Sequence, residues 1–314
     1  MNSAAECEKR YEWDRAAVIY SKVLAQLPEA DRFRRGVLKE KFGHSTYRLV
    51  MQAADPAGFR AAAGRAADTY REALSLYGES QAQGARARAL RCGAMVSYIG
   101  YWLAAEAPEK KKLACDSWRL AKASLDAFER AGEAREYCDA YLMLSPISYS
   151  CQYLQWDFRA NRKAMREALE FGEKALAMAT SVVDQGGLAR IYTKVAQYTQ
   201  GFGHFFVPEM EGKWERLSRC RKYFTKAMEL SEGEAFLELL TLNETPDLFT
   251  EDPGVKSRFM DRIVGLAGKT KDNYAIGNAH DTLAYVKAWI ALGIEEAEER
   301  SAMLEESLSH AKRA

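Results

Sequence analysis

The side chains best suited to bind metal or to act as nucleophiles are widely scattered in this chain. It has 6 cysteines and 4 histidines in 314 residues, and no histidine stands at a metal-ligand spacing from another candidate ligand. No phosphate-binding glycine loop, nucleophile elbow or zinc-protease motif occurs. We therefore predict no catalytic residue, no metal site and no cofactor, and we expect reduced core thiols in a cytoplasmic protein.

Basic side chains form three clusters that can hold an acidic peptide or a carboxylate ligand. They are residues 32–35, the trio Arg86, Arg88 and Arg91, and residues 110–112. Arg88 and Arg91 are three residues apart, which places them on one face of a helix. Because charged side chains on helices are usually solvated, we expect these clusters to face water.

Aromatic residues give the pattern most typical of a partner-binding surface. Tyrosines stand at positions 47, 98, 149 and 198, with spacings of 51, 51 and 49 residues, and another stands at 285. Four residues later on the same helix face come further large apolar side chains: Met51, Trp102, Tyr153, Phe202 and Trp289. This stripe either lines a groove or packs helix against helix, and packing is favoured for the repeated tyrosines.

Residues that occur in one copy only are better binding candidates than those repeated in every copy. The candidate partner-binding residues are Tyr98, Trp102, Tyr149, Tyr153, Trp156, Tyr198, His204 and Phe205. The glycine- and aromatic-rich stretch 201–210 is either an exposed binding patch or a buried helix end.

The elements that must position these side chains are helices. Apolar residues recur at i, i+3 and i+4 in segments of about 15–25 residues, which short polar, glycine or proline stretches separate. Short connections indicate antiparallel neighbours. Balanced charge, 45 basic against 44 acidic residues, gives no case for nucleic acid or a membrane surface as partner, and no run of about 20 apolar residues occurs.

One class of helix repeats along the chain. Its late apolar positions are spaced by 50, 51, 51 and 52 residues: Leu24, Leu74, Leu125, Leu176 and Met228. Eight residues before each stands a small residue: Ala16, Ala66, Ser117, Ala168 and Cys220. Prolines 56, 108 and 208 mark the turn inside a helix pair. The pattern predicts stacked units of about 51 residues, in which the small residue permits close helix contact.

These second helices resemble those of tetratricopeptide-repeat proteins. The positions that carry the resemblance are Trp13, Ala16, Tyr20, Leu24 and Pro28. The unit is longer than the family's unit of about 34 residues, so the resemblance is to the broader tetratricopeptide-like superfamily. It implies a right-handed superhelix whose first helices line the concave face, and a role as a scaffold or in ligand recognition.

We predict an all-α fold, a right-handed α-solenoid of antiparallel helix pairs in one domain over residues 1–314. Regular repeats are expected over about residues 4–235 and shorter, irregular ones over about residues 236–314. Residues 238–257 are expected to be a loop, or else a ligand-contacting hinge. Pro146 is expected to kink its helix or to split it. The last helix either caps the stack or belongs to an excerpt of a longer protein, whose exposed end then favours self-association.

The function that fits this architecture is an interaction module that binds a peptide or a partner protein on its concave face. The alternative is a ligand-sensing regulatory domain of a signalling or transcription-control protein, and an enzyme is less favoured than either. An open groove favours the interaction module, whereas an enclosed pocket lined by Trp102, Tyr149 and His204 favours the sensor.

Overall fold

The computed structural model describes residues 2–154, 157–231, 261–266, 268–269 and 273–314, and within these ranges it is helical with no strand. The predicted loop 238–257 lies outside the described residues. The helices are α1 (Asn2–Lys9), α2 (Trp13–Gln26), α3 (Arg32–Val50), α4 (Pro56–Gly78), α5 (Ala85–Leu103), α6 (Ala107–Ala131), α7 (Ala134–Leu154), α8 (Phe158–Ala179), α9 (Gln185–Phe206), α10 (Met210–Ser231), α11 (Asn273–Leu292) and α12 (Ala297–Ala311).

The helices form two compact units, Met1–Val183 with α1–α8 and Asp184–Ala314 with α9–α12. Each unit consists of helices packed against their neighbours in sequence, which confirms the predicted all-α repeat of helix pairs. The prediction that all 314 residues form one domain stays a prediction.

Consecutive helices run antiparallel, as the hydrogen bonds between α5 and α6 show. The Ser117 hydroxyl donates to the Ala94 carbonyl at 2.8 Å, and the Ser124 hydroxyl donates to the Ala87 carbonyl at 2.9 Å. The residue number rises by seven on α6 while it falls by seven on α5, so the two chains run in opposite directions. These bonds from small hydroxyl side chains also need closely spaced helices.

Equivalent helices of successive pairs run parallel, with one offset between the first helices α3 and α5 and another between the second helices α6 and α8. Between α3 and α5, Arg91 bonds Glu40 and the ring of Tyr98 contacts that of Tyr47, and each pair is 51 residues apart. Between α6 and α8, both inter-helix ion pairs join residues that are 45 apart: Lys122–Glu167 and Glu129–Lys174, each at 2.8 Å. The repeat seen in the sequence is therefore also present in the contacts.

The predicted small positions of the second helices lie in the core. Each is at most 1% exposed: Ala16, Ala66, Ser117, Ala168 and Cys220. Among the late apolar positions of the repeat, Leu24 and Leu125 are buried, whereas Leu74 is 36% exposed. From Ala66 the buried face continues through Tyr70 to Ala73, at i+4 and i+7, and Leu74 lies beside that face.

Proline marks the start of second helices as predicted. Pro56 opens α4, where the Asp55 carboxylate accepts the backbone N–H of Gly58 at 2.7 Å, and Pro108 lies in the first turn of α6. Pro208 lies in the turn between α9 and α10. The first turn of a helix tolerates proline because its N–H groups have no intrahelical acceptor there.

Helix α7 continues through Pro146, so of the two expected outcomes, a kink or a split, the split is wrong. A proline removes the bond that its N–H would give to the carbonyl four residues earlier, here that of Leu142. The Ser145 hydroxyl donates to this carbonyl at 3.3 Å instead. The neighbouring serine therefore partly replaces the missing backbone bond.

Candidate functional site

Four aromatic side chains form a connected surface on the first helices α3 and α5. We call it the α3–α5 aromatic surface; its members are Tyr47, Tyr98, Tyr101 and Trp102. The ring of Tyr98 lies 6.4 Å from that of Tyr47, 6.3 Å from that of Tyr101 and 6.1 Å from that of Trp102, and the rings of Tyr101 and Trp102 are 5.1 Å apart. Each ring is thus held by at least one other.

Exposure differs sharply between the members of this surface. Tyr98 is 5% exposed and contacts the other three rings. Trp102, in contrast, is 41% exposed, and Leu103 beside it is 39% exposed. The three aromatic residues of α5 stand at i, i+3 and i+4 in the last turns of the helix, so one helix face presents all of them. The result is a rigid aromatic surface with Trp102 as its most accessible ring.

The same faces of the first helices carry a buried network of charges two turns earlier. On α3, Glu40 accepts a hydrogen bond from the Nε atom of Arg91 at 2.5 Å, and the Tyr77 hydroxyl donates to its other oxygen at 2.8 Å. On α7, Glu136 lies 3.2 Å from Arg91 and 2.5 Å from Arg88. The side chains of Glu40 and Arg91 are 5% and 4% exposed, so water contributes little to their solvation.

Burial and charge act in opposite directions on this network. Burial by itself would raise the pKa of Glu40, but the charge and hydrogen bond of Arg91, the Tyr77 hydroxyl and the charge of Arg88 together hold that pKa below its ordinary value. Burial lowers the pKa of Arg91, and the charges of Glu40 and Glu136 outweigh it, so the net direction is upward. The charges of Glu40, Arg88 and Arg91 therefore persist at neutral pH.

Two aromatic rings contact the arginine side chains of the network. The guanidinium of Arg91 lies 5.2 Å from the ring centre of Phe128, and that of Arg88 lies 5.7 Å from the ring centre of Phe33. Such cation–π contacts are strongest where water is excluded.

The expectation of solvated basic clusters is wrong for Arg88 and Arg91. Their partners are acidic residues on the first helices of the preceding and following pairs, so the network ties α3, α5 and α7 together. Sequence reasoning missed this because it considered each helix face alone. A signal was present, since opposite charges stand at positions 40 and 91, one repeat apart.

A third basic residue, Arg35, also has a structural role. Arg35 donates to the carbonyls of Leu24 at 3.4 Å and Leu27 at 3.0 Å, at the end of α2, where backbone carbonyls lack intrahelical partners. Arg34 is exposed, as expected for a solvated helix face.

The eight predicted partner-binding residues differ in position and exposure. Tyr98 and Trp102 meet in the α3–α5 aromatic surface. Tyr198 is fully buried in α9, whereas Phe205 on the same helix is 64% exposed. The backbones of Tyr149 and Tyr153 lie in α7 and that of His204 in α9, but their side chains are outside the described part, as is the whole of Trp156. A partner contact by any of the eight stays a prediction.

The stretch 201–210 is neither wholly exposed nor wholly buried. Phe202 and Phe206 are 5% and 8% exposed and contact each other, and the Arg216 guanidinium lies 4.6 Å from the ring centre of Phe202. Phe205 and Met210 are 64% and 62% exposed. Phe202 and Phe206 anchor the segment, while Phe205 beside them and Met210 at the start of α10 are accessible.

Metal ligands do not gather in the part of the chain that the structure describes, where no group of three or more His, Cys, Asp or Glu side chains occurs. Five of the six cysteines are described there as thiols, of which four are buried; Cys115 is exposed, contrary to the expected core position. None of the described helices combines the length and apolar character needed to cross a bilayer.

No protein-family model and no curated protein sequence matches the chain. Among solved structures, the chain is similar to the C-terminal part of a TPR repeat-containing protein from Cytophaga hutchinsonii, at 12% identity over 99% of this chain and 93% of that one, with a TM-score of 0.36. A computationally designed self-assembling cyclic homo-oligomer matches at 12% identity over 94% and 95%, with a TM-score of 0.17. At such scores, the assignment of the fold depends on the helix contacts described above.

Proposed function

We propose that this chain is a protein-interaction module that binds a peptide or a partner protein through the α3–α5 aromatic surface. The observation that carries the proposal is the 41% exposure of Trp102 among rings that hold it in place. A rigid, accessible aromatic side chain supplies a large contact area and loses little conformational entropy on binding. The proposal assigns no catalytic step to the chain.

The buried network supports the proposal because it constrains the backbones from which the aromatic rings project. Glu40 and Tyr47 are seven residues apart on α3, and Arg91 and Tyr98 are seven apart on α5. The charge pair and the ring pair are thus two contacts of one helix–helix register. A surface that is already ordered before binding pays less of the ordering cost that association usually carries.

The test compares two exposed tryptophans of the full chain. The wild type, Trp102→Ala and Trp214→Ala are immobilised at equal amounts, and proteins captured from an extract of the native host are quantified by mass spectrometry. Trp214 is 63% exposed on α10 and lies outside the proposed surface, which makes it a matched control. Circular dichroism and urea unfolding first establish that all three chains are folded.

We expect Trp102→Ala to lose a captured partner that the wild type and Trp214→Ala retain. Removal of a central interface tryptophan typically costs about 2 kcal/mol or more, which corresponds to roughly 30-fold weaker binding. Equal capture by Trp102→Ala and the wild type, or loss only with Trp214→Ala, would contradict the location of the site. A small molecule that co-purifies in place of any protein would favour the alternative, a ligand-sensing regulatory domain.

Exposed apolar side chains in the second unit support a second interaction, self-association of the chain. Large apolar side chains on α11 and α12 are exposed: Tyr285 60%, Trp289 62%, Leu292 77%, Leu304 45% and Leu308 55%. Tyr285 and Trp289 contact each other, and an exposed apolar patch often marks a protein contact. We propose it as a site of contact between copies; a strict monomer in light scattering at high concentration would contradict it.

A further inference from the structure

Several polar contacts join helix α12 to α11. Only Ser307 of this fully described helix is buried, and its hydroxyl donates to the Ala284 carbonyl at 2.7 Å. The Lys287 ammonium donates to the Glu306 carboxylate at 2.6 Å. No apolar side chain of α12 is fully buried, and Leu304 and Leu308 are 45% and 55% exposed, so these polar contacts contribute to the attachment of the helix.

A third polar contact joins two histidines. The Nδ1 atoms of His280 on α11 and His310 on α12 are 2.9 Å apart, a normal hydrogen-bond distance. The ring centres are 5.2 Å apart and the planes are inclined by 28°. The distance between the ring centres exceeds the distance between the Nδ1 atoms by about the width of one imidazole ring. The two rings therefore meet edge to edge, with their Nδ1 atoms directed at each other.

This geometry accepts only one proton between the two nitrogens. In the neutral pair one Nδ1 donates and the other accepts, with its own proton on Nε2. A first added proton can go to the Nε2 atom of the donor ring and leaves the bond intact. A second added proton must occupy the accepting Nδ1, which replaces the hydrogen bond with two facing N–H groups on two cations. The pair is therefore compatible with zero or one net charge, and incompatible with two.

We propose that the His280–His310 pair is an acid-sensitive latch that holds α12 on α11 and releases it when both imidazoles are fully protonated. Release separates the two partners of the Ser307–Ala284 bond and exposes Lys287, which is 8% exposed while α12 is bound. The latch is independent of the aromatic surface proposed above, which lies on other helices.

The charged neighbours of the pair favour its neutral form. Burial lowers the pKa of His280, and the charge of Arg313 lowers it further. Burial, His280, Lys287 and Arg313 all lower the pKa of His310, opposed by Asp261. The hydrogen bond and the charge of Lys287 lower the pKa of Glu306, so this carboxylate stays charged when the histidines titrate.

The sign of the pH effect follows from these directions. The histidine pKa values of the bound state lie below their ordinary value of 6.5, so the released state takes up protons first. Attachment of α12 is therefore complete above 6.5 and weakens as the pH falls below that value. When release is accompanied by the uptake of one proton, the equilibrium constant for release of α12 rises about tenfold for each unit by which the pH falls.

The test is native-state hydrogen exchange of the full chain by mass spectrometry, at pH values on both sides of 6.5, with each rate divided by its intrinsic rate at that pH. We expect the protection of α12 to fall by up to about tenfold per pH unit below 6.5, while α4 keeps its protection. Unchanged protection of α12 across this range would overturn the proposal.

Two variants make the test specific to the histidine pair. In His310→Gln, the carboxamide oxygen accepts from His280 in either charge state, so α12 should stay protected in acid. Glu306→Gln removes the other titrating partner on α12 and should keep the pH response of the wild type. An acid response that persists in His310→Gln, or that disappears in Glu306→Gln, would show that the histidine pair is not the latch.

Discussion

At the scale of single residues, Glu40 shows how a charge becomes part of a protein core. It accepts bonds from Arg91 and Tyr77, so both of its oxygens have partners. Burying an unpaired carboxylate costs several kcal/mol, whereas a fully bonded pair comes close to balancing that cost. The stability of this region should therefore depend on the charge state of Glu40.

The lowered pKa of Glu40 predicts how the network responds to acid. The contribution of its charge to the free energy of unfolding is complete above the ordinary carboxyl pKa of 4.5 and is lost as the pH falls further. Urea unfolding of the wild type and Glu40→Gln should show a gap between their free energies of unfolding at neutral pH, and this gap should shrink below 4.5. A gap that stays constant with pH would contradict the role of the charge.

Residue types predicted part of the candidate site. The i, i+4 spacing of Tyr98 and Trp102 was sufficient to place both on one face, and the structure adds Tyr101 at i+3 between them. The spacing within one helix could not predict that Tyr98 would be buried and Trp102 exposed. That difference depends on neighbours from other helices, such as Tyr47 on α3.

At the scale of helices, the small positions were the most predictable feature. Periodic burial is a local property of a helix, so five copies of a small residue at a spacing of about 51 identified the buried face correctly. The exact width of that face was less predictable, because Leu74 borders it and nevertheless remains 36% exposed.

Close contact at these positions predicts the effect of a larger side chain. Ala66→Leu should lower the free energy of unfolding by about 1–3 kcal/mol, since Ala66 is 0% exposed and a larger side chain overpacks such a site. Ala61→Leu, on the exposed face of the same helix α4, is the matched control and should change little. Urea denaturation measures both. Equal effects of the two substitutions would contradict the assignment of the repeat.

At the scale of the whole molecule, one offset of 51 residues relates the first helices α3 and α5 within the first unit, Met1–Val183. Glu40 reaches Arg91 and Tyr47 reaches Tyr98 across the same 51 residues, so the repeat is expressed in charge pairing and in ring contacts together. Composition could not predict this, because a net charge of +1 is the same whether the charges are solvated or buried in pairs. Pairing between repeats depends on which helices meet.

The central claim is that α3 and α5 are held in this register and so build the aromatic surface. The most direct test is the coupling free energy between Glu40 and Arg91 in a double-mutant cycle of Glu40→Gln and Arg91→Met, measured by urea unfolding. The exposed pair Glu129–Lys174, also between parallel helices, is the control and should couple by less than about 1 kcal/mol.

We predict that each single substitution at Glu40 or Arg91 costs about 3 kcal/mol or more, because it takes the nearest opposite charge away from a buried partner. The double variant should cost much less than the sum of the two, with a coupling of about 2–3 kcal/mol, because Arg88 and Glu136 still neutralise each other. Additive effects at Glu40 and Arg91, within about 0.5 kcal/mol, would contradict the register and with it the proposed binding surface.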